Sequence, residues 1–129
     1  MSERDCVWDI YLVDEVREWL EKLRADDEGT FDLVEGALFA LSVSGPALKR
    51  PLVGTIAGST IRNLKELRPG STGRSEVRIL FVFDPWRSAI LLVAGDKAGH
   101  WNRWYDRAVP AAERRFHDYV ERRSKEEER

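Results

Sequence analysis

The stretch EVRILFVF at residues 76–83 alternates so that Val77, Ile79, Phe81 and Phe83 fall on one side of an extended chain. It reads as a strand, and Arg78 must then project from the opposite side. DPWR at residues 84–87 forms a turn, and AILLVA at residues 89–94 is apolar on both sides, as a strand in the middle of a sheet is. Upstream, IRNLKELR at residues 61–68 reads as another strand, joined to residues 76–83 through PGSTG at residues 69–73, whose Pro and Gly favour a hairpin turn. Three hairpin-linked strands define an antiparallel sheet.

The flanks add the remaining elements. VWDIYLV at residues 7–13 predicts a first strand. Asp14 is placed to cap a helix over residues 15–25 with an apolar stripe of Val16, Trp19, Leu20 and Leu23. Gly29 separates it from a second helix, capped by Thr30, whose stripe is Phe31, Val34, Leu38 and Leu41 and which stops at residues 44–46, SGP. Residues 47–60 contain Pro51, Gly54 and Gly58, show no steady period and read as a connecting loop. After GDKAG at residues 95–99, Trp101, Trp104, Tyr105 and Ala108 are at helical spacing, and Pro110 is expected to begin a last helix with Ala112, Phe116, Tyr119 and Val120 as its stripe. The expectation is an α+β fold: about four mainly antiparallel strands, two N-terminal helices and a C-terminal helix, with the helices on one face of the sheet. A single domain over residues 1–123 and a charged tail at 124–129 complete it.

The 129 residues, 34% charged and 43% hydrophobic, suit one domain with a core of its own. No run of about 18 apolar residues is present and the opening MSERD has no apolar signal region, which points to the cytoplasm and away from membranes. The single cysteine, Cys6, can form neither an internal disulfide nor a thiolate metal cage and reads as an inert small residue. The net charge of −2 hides an asymmetry. Residues 1–35 carry 12 acids and 4 bases, whereas residues 45–107 carry 11 bases and 5 acids. Arginines outnumber lysines 16 to 5, and the planar guanidinium is the better fork for phosphate oxygens. The middle of the chain is suited to an anion.

No nucleotide-binding glycine fingerprint, nucleophile elbow or metal pair is visible, and residues 95–99 lack the full phosphate-loop pattern. His100 and His117 are expected to be solvated or capping residues, neither sharing a helix face with a carboxylate at metal spacing. Arg78, mid-strand, needs either a buried carboxylate, with Glu66 and Glu76 as candidates, or an external anion. Arg68, Arg74 and Lys97 end neighbouring elements, where they can join Arg78 in one cationic cleft. Trp8, Trp19, Trp101 and Trp104 read as core residues. Trp86, in a turn beside Arg87, is placed to stack on a base or meet a partner.

The segments RPLV at residues 50–53, NLKELRPGS at 63–71, EVRILF at 76–81 and LLVAGDK at 91–97, with Trp104-Tyr105, resemble the HigB-type, phage Gp49-like branch of the RelE/ParE toxin superfamily. The resemblance covers residues 8–120 and implies a RelE-like fold and a toxin of a type II toxin–antitoxin pair that cuts mRNA in the ribosomal A site. It implies that Arg78 meets the scissile phosphate, that Lys97 is the basic residue after the last strand, and that Tyr105 corresponds to a tyrosine of relatives. Arg68 and Arg74, with Lys65 and Arg103, are then the contacts to the RNA backbone. Where the best-known branch has a lysine, this chain has Glu66, as general base or as the salt-bridge partner of Arg78; His100 is a spare acid or base. Cleavage by the 2′-hydroxyl needs no cofactor or metal. The partners implied are a helix-turn-helix antitoxin, the ribosome and mRNA. The alternatives are a ParE-like inhibitor of DNA gyrase or a decayed toxin that only binds.

Overall fold

The computed structural model describes residues 7–127, so Cys6 and the opening MSERD lie outside the described residues. The chain runs β1 (Asp9–Leu12), α1 (Asp14–Asp26), α2 (Glu28–Ser44), a 3-10 turn (Gly45–Ala47), β2 (Val53–Thr55), β3 (Lys65–Leu67), β4 (Val77–Phe83), β5 (Ser88–Asp96) and α3 (Asn102–Glu127). The five strands form one sheet in the order β1-β5-β4-β3-β2. β2 through β5 are antiparallel to their neighbours, while β1 joins the far edge parallel to β5. The class is α+β, as expected.

The two middle strands explain the layering. Val77, Ile79 and Phe81 are buried on one face of β4, and Phe81 and Phe83 meet edge to face at 5.4 Å. That face is closed by the helical hairpin of α1 and α2: Trp8 packs edge-on against Phe83 and fills the space where a Cβ on Gly45, just past α2, would stand. The opposite face holds Arg78, Leu80 and Gly95, and α3 covers it with Trp104 over Gly95 and Tyr119 tilted against Tyr11 of β1. Helices therefore lie on both faces, not on one. β5 requires this arrangement, because Ala89, Ile90, Leu91 and Leu92 are all fully buried and an apolar strand cannot leave either side in water.

Several expectations are corrected. A strand, β2, stands inside the stretch read as a connecting loop. It is three residues long and is held by pairing with β3 rather than by its own periodicity. Of residues 61–68 only Lys65–Leu67 is strand, since Asn63 turns the chain with φ of 63°. The second helix starts at Glu28. Asp27 caps it by accepting from the Thr30 N–H (3.2 Å) and hydroxyl (2.6 Å), so Thr30 lies inside the helix and satisfies the cap from there. Asp14 sits in the first turn of α1, whose N-cap is Val13. Pro110 is internal to α3. It removes one helical hydrogen bond, but burial of Ala108, Ala112 and Tyr119 on either side carries the helix through. α3 continues to Glu127 through most of the stretch read as a tail.

Phe81→Ala should lower the unfolding free energy by ~3–5 kcal/mol, because the ring is fully buried between sheet and helical hairpin. Phe39→Ser, at a ring 72% exposed on α2, should change it by less than ~0.5 kcal/mol. Urea unfolding followed by circular dichroism checks both, and equal effects would contradict this placement of the core.

Candidate active site

The cross-strand register assembles the site. Glu66 of β3 lies opposite Leu80 of β4, and Arg78 lies opposite Gly95 of β5, so Glu66, Arg78 and Gly95 share the face that α3 covers. Glu66 is 2% exposed. A carboxylate so deep in a sheet stays ionised only if donors replace water, and three side chains converge on it. Arg68 donates from Nε to Oε1 at 2.8 Å, the Tyr105 hydroxyl donates to Oε2 in a short hydrogen bond, and Arg78 Nε stands 3.7 Å from Oε1. Arg78 also donates to the carbonyl of Val77 at 2.9 Å, while its buried Nε makes no hydrogen bond. The Arg78 guanidinium is therefore placed but incompletely satisfied.

Lys97 closes the cluster from the end of β5. Its ammonium stands 5.5 Å from the ring centre of Tyr105 and 5.6 Å from that of Trp101. The backbone there is fixed: Lys97 N–H bonds to the Glu76 carbonyl at 3.0 Å, and Asp96 accepts from the N–H groups of Glu76 and Ala98. Glu66 thus faces two guanidinium groups, Arg68 and Arg78, with the Lys97 ammonium beyond the Tyr105 ring, so cations outnumber the buried carboxylate in this cluster. Tyr105 stays protonated well above neutrality. Burial, and after it the hydrogen bond and charge of Glu66, push its pKa up to about 12, with Arg78 opposing the shift.

Two glycines make the site possible. A Cβ on Gly95 would stand 2.5 Å from the Trp104 indole nitrogen, and one on Gly54 would stand 2.5 Å from a terminal nitrogen of Arg68. Without them neither Trp104, which walls the site, nor the Arg68 guanidinium could lie flat on the sheet. The sequence reads Gly54 as part of a connecting loop and Trp104 as a core residue, and gives neither of them, nor Gly95, a part in the site; an isolated Gly in a strand pattern is the one signal the glycines offer.

Among the candidates, Glu66, Arg68, Arg78, Lys97 and Tyr105 come together. Lys65, Arg74 and Arg103 do not join them: Lys65 neighbours Glu66 in β3 and so faces the other side, Arg74 is exposed in the β3–β4 connection, and Arg103 is exposed in the first turn of α3. Glu66, not Glu76, is the carboxylate beside Arg78. His100 is exposed in the turn before α3. Trp86 is taken up internally, beneath the Arg123 guanidinium at 4.9 Å and edge-on to Tyr119. Trp101, expected in the core, is 62% exposed. His117 does share a helix face with acids: its Nδ1 is 3.9 Å from both Asp118 and Glu121, the latter one turn on, and all three are exposed. A second tyrosine–carboxylate pair, Tyr119 to Asp84 at 2.6 Å, ties α3 to the β4–β5 turn, where Asp84 also accepts from the N–H groups of Trp86 and Ser88. Among the described residues no helix is long and apolar enough to cross a membrane.

Residues 18–117 match the family of phage-derived Gp49-like proteins (DUF891), and the chain belongs to that family. Two proteins of Mycobacterium tuberculosis (strain ATCC 25618 / H37Rv), bearing the names "Putative toxin HigB2" and "Putative toxin HigB3", are similar to it. HigB2 is 52% identical over 108 residues, 84% of this chain and 52% of that protein, so the match spans about half of HigB2. HigB3 is 44% identical over 111 residues, 86% of this chain and 92% of HigB3. The resemblance to the HigB type read from the residues is thus supported over most of the chain.

In a spectrophotometric titration, the phenolate signal lost in Tyr105→Phe should have a midpoint near 12, against about 10 for an ordinary tyrosine. Since the folded state holds this proton more tightly, the contribution of Tyr105 to stability should be complete below about pH 10 and disappear as pH rises toward 12. Glu66→Gln should bring the midpoint down. A Tyr105 that titrates near 10 in the wild-type protein would contradict the pairing.

Proposed function

We propose that this chain is the toxin of a type II toxin–antitoxin pair and acts in the cytoplasm as a metal-independent endoribonuclease on mRNA held by the ribosome. The observation that carries this reading is the shared carboxylate: Glu66 holds Arg68 and Arg78 side by side, leaving with Lys97 an excess of positive charge and an unsatisfied Arg78 Nε. The names of the two similar proteins support the toxin half of it. An antitoxin of the helix-turn-helix type is the partner that would silence it.

Cleavage by the 2′-hydroxyl forms the O2′–P bond and breaks the P–O5′ bond through a pentacovalent phosphorane, leaving a 2′,3′-cyclic phosphate and a 5′-hydroxyl. The protein must fix the phosphate, neutralise its added charge, take a proton from O2′ and deliver one to O5′. Arg78 meets the non-bridging oxygens, with Arg68 beside it. Tyr105 passes its proton to Glu66 while its oxygen accepts that of the 2′-hydroxyl, which makes Glu66 the final base as well as the anchor of both arginines. Lys97, across the Tyr105 ring, donates to O5′. The single carboxylate of the cluster is already held by two guanidinium groups, so these steps need no metal ion. Arg74 and Arg103, exposed at the rim, meet neighbouring backbone.

Arg78→Ala should reduce cleavage of ribosome-bound mRNA by ~100–1000-fold, equivalent to ~3–4 kcal/mol of lost transition-state stabilisation, and should end growth arrest. Primer extension on mRNA from induced cells checks the first, circular dichroism the retained fold. Full activity in Arg78→Ala would refute the assignment, and an unfolded variant would make Arg78 a structural partner of Glu66.

A further inference from the structure

Lys65, set apart from the cluster by strand alternation, lines a separate groove along the β2 edge of the sheet together with Lys49, Arg50, Val53, Gly54 and Thr55. Pro46 and Leu48 complete the lining; three of the eight lining residues are cationic, none is a carboxylate, and Lys49, Arg50 and Lys65 enter no ion pair among the described residues. The edge adds a backbone donor. Arg68 N–H bonds to the Leu52 carbonyl at 2.8 Å and Ile56 N–H to the Leu64 carbonyl at 2.9 Å, so alternation turns the N–H groups of Val53 and Thr55 outward. That of Val53 is taken by the Lys49 carbonyl at 3.1 Å, whereas that of Thr55 faces the groove. Like charges gathered around an open strand edge repel one another, and an anion relieves that repulsion.

Gly54 connects the groove to the active site, since it lines the groove and also lies directly beneath the Arg68 guanidinium. The two cationic clusters stand back to back across one three-residue strand. We infer that the Lys49–Arg50–Lys65 groove is a second phosphate subsite, which holds the RNA phosphodiester backbone flanking the phosphate at Arg78. This rests on the proposed function for the identity of the anion. A single strand passing over the β2 edge places one phosphate on Arg68 and Arg78 and a neighbour on Lys65, with the Thr55 N–H and the two flexible cations closing on its oxygens. The groove positions and does not react.

The test is salt-dependent binding of a single-stranded RNA oligonucleotide carrying 2′-deoxy sugars, which cannot be cut, by the wild-type chain and by the Lys49→Ala, Arg50→Ala, Lys65→Ala triple variant, with vacant ribosomes as a second ligand. Three lost phosphate contacts should make the slope of log affinity against log salt shallower by about 2. A shallower slope with the oligonucleotide assigns the groove to the mRNA backbone; a shallower slope with ribosomes alone assigns it to ribosomal RNA. Unchanged slopes with both ligands overturn the inference. Because binding is read without cleavage, a chain that binds in this way but never cuts RNA would refute the proposed activity and leave the subsite standing.

Discussion

One buried carboxylate organises the candidate site of this protein. Glu66 sits on a central face of the sheet where water is excluded, and its charge has to be matched by protein groups drawn from three elements: Arg68 at the end of β3, Arg78 on β4 and Tyr105 on α3. Removing any one donor leaves a charge that burial makes costly, so the interaction holds the last helix against the sheet as it builds the site. The geometry is asymmetric in charge. A lone carboxylate would be neutralised by one guanidinium; two, with Lys97 behind them, leave the cluster short of an anion.

The rest of the fold is arranged to let that cluster exist. β5 is apolar on both faces, which recruits the helical hairpin to one side and α3 to the other. α3 must then run its full length over β5, through Pro110, so that Tyr119 reaches Asp84 at one end while Trp104 and Tyr105 reach Gly95 and Glu66 at the other. Gly54 and Gly95 keep the face flat where a guanidinium and an indole lie on it.

Much of this was readable from residues alone, and what was not shares a physical cause. The period of two in EVRILFVF put Arg78 opposite the core face because strand alternation is a local property. The same rule, applied to Lys65-Glu66, would have separated Lys65 from the cluster. Strand β2 was illegible because an edge of three residues containing a glycine has no period, and it exists through its pairing with β3. Pro110 was misread because its local preference for a first helical turn was outweighed by tertiary packing on both sides. That Glu66 holds two arginines depends on cross-strand register, which a single sequence does not display; the resemblance to HigB-type proteins names Glu66, Arg68, Arg78, Lys97 and Tyr105 among its candidates, together with Lys65, Arg74 and Arg103, which stand apart from that cluster.

The chemistry of the RNA ends produced on the ribosome tests the central claim most directly. With an mRNA carrying a single 2′-deoxy nucleotide at the cleavage position, the account predicts no cut, and with the all-ribose mRNA a 2′,3′-cyclic phosphate on the upstream fragment and a 5′-hydroxyl on the downstream one. A cut that survives the 2′-deoxy substitution, or fragments ending in a 3′-hydroxyl and a 5′-phosphate, would mean that water and not the 2′-oxygen attacks, and would contradict the roles given to Glu66, Arg78, Lys97 and Tyr105.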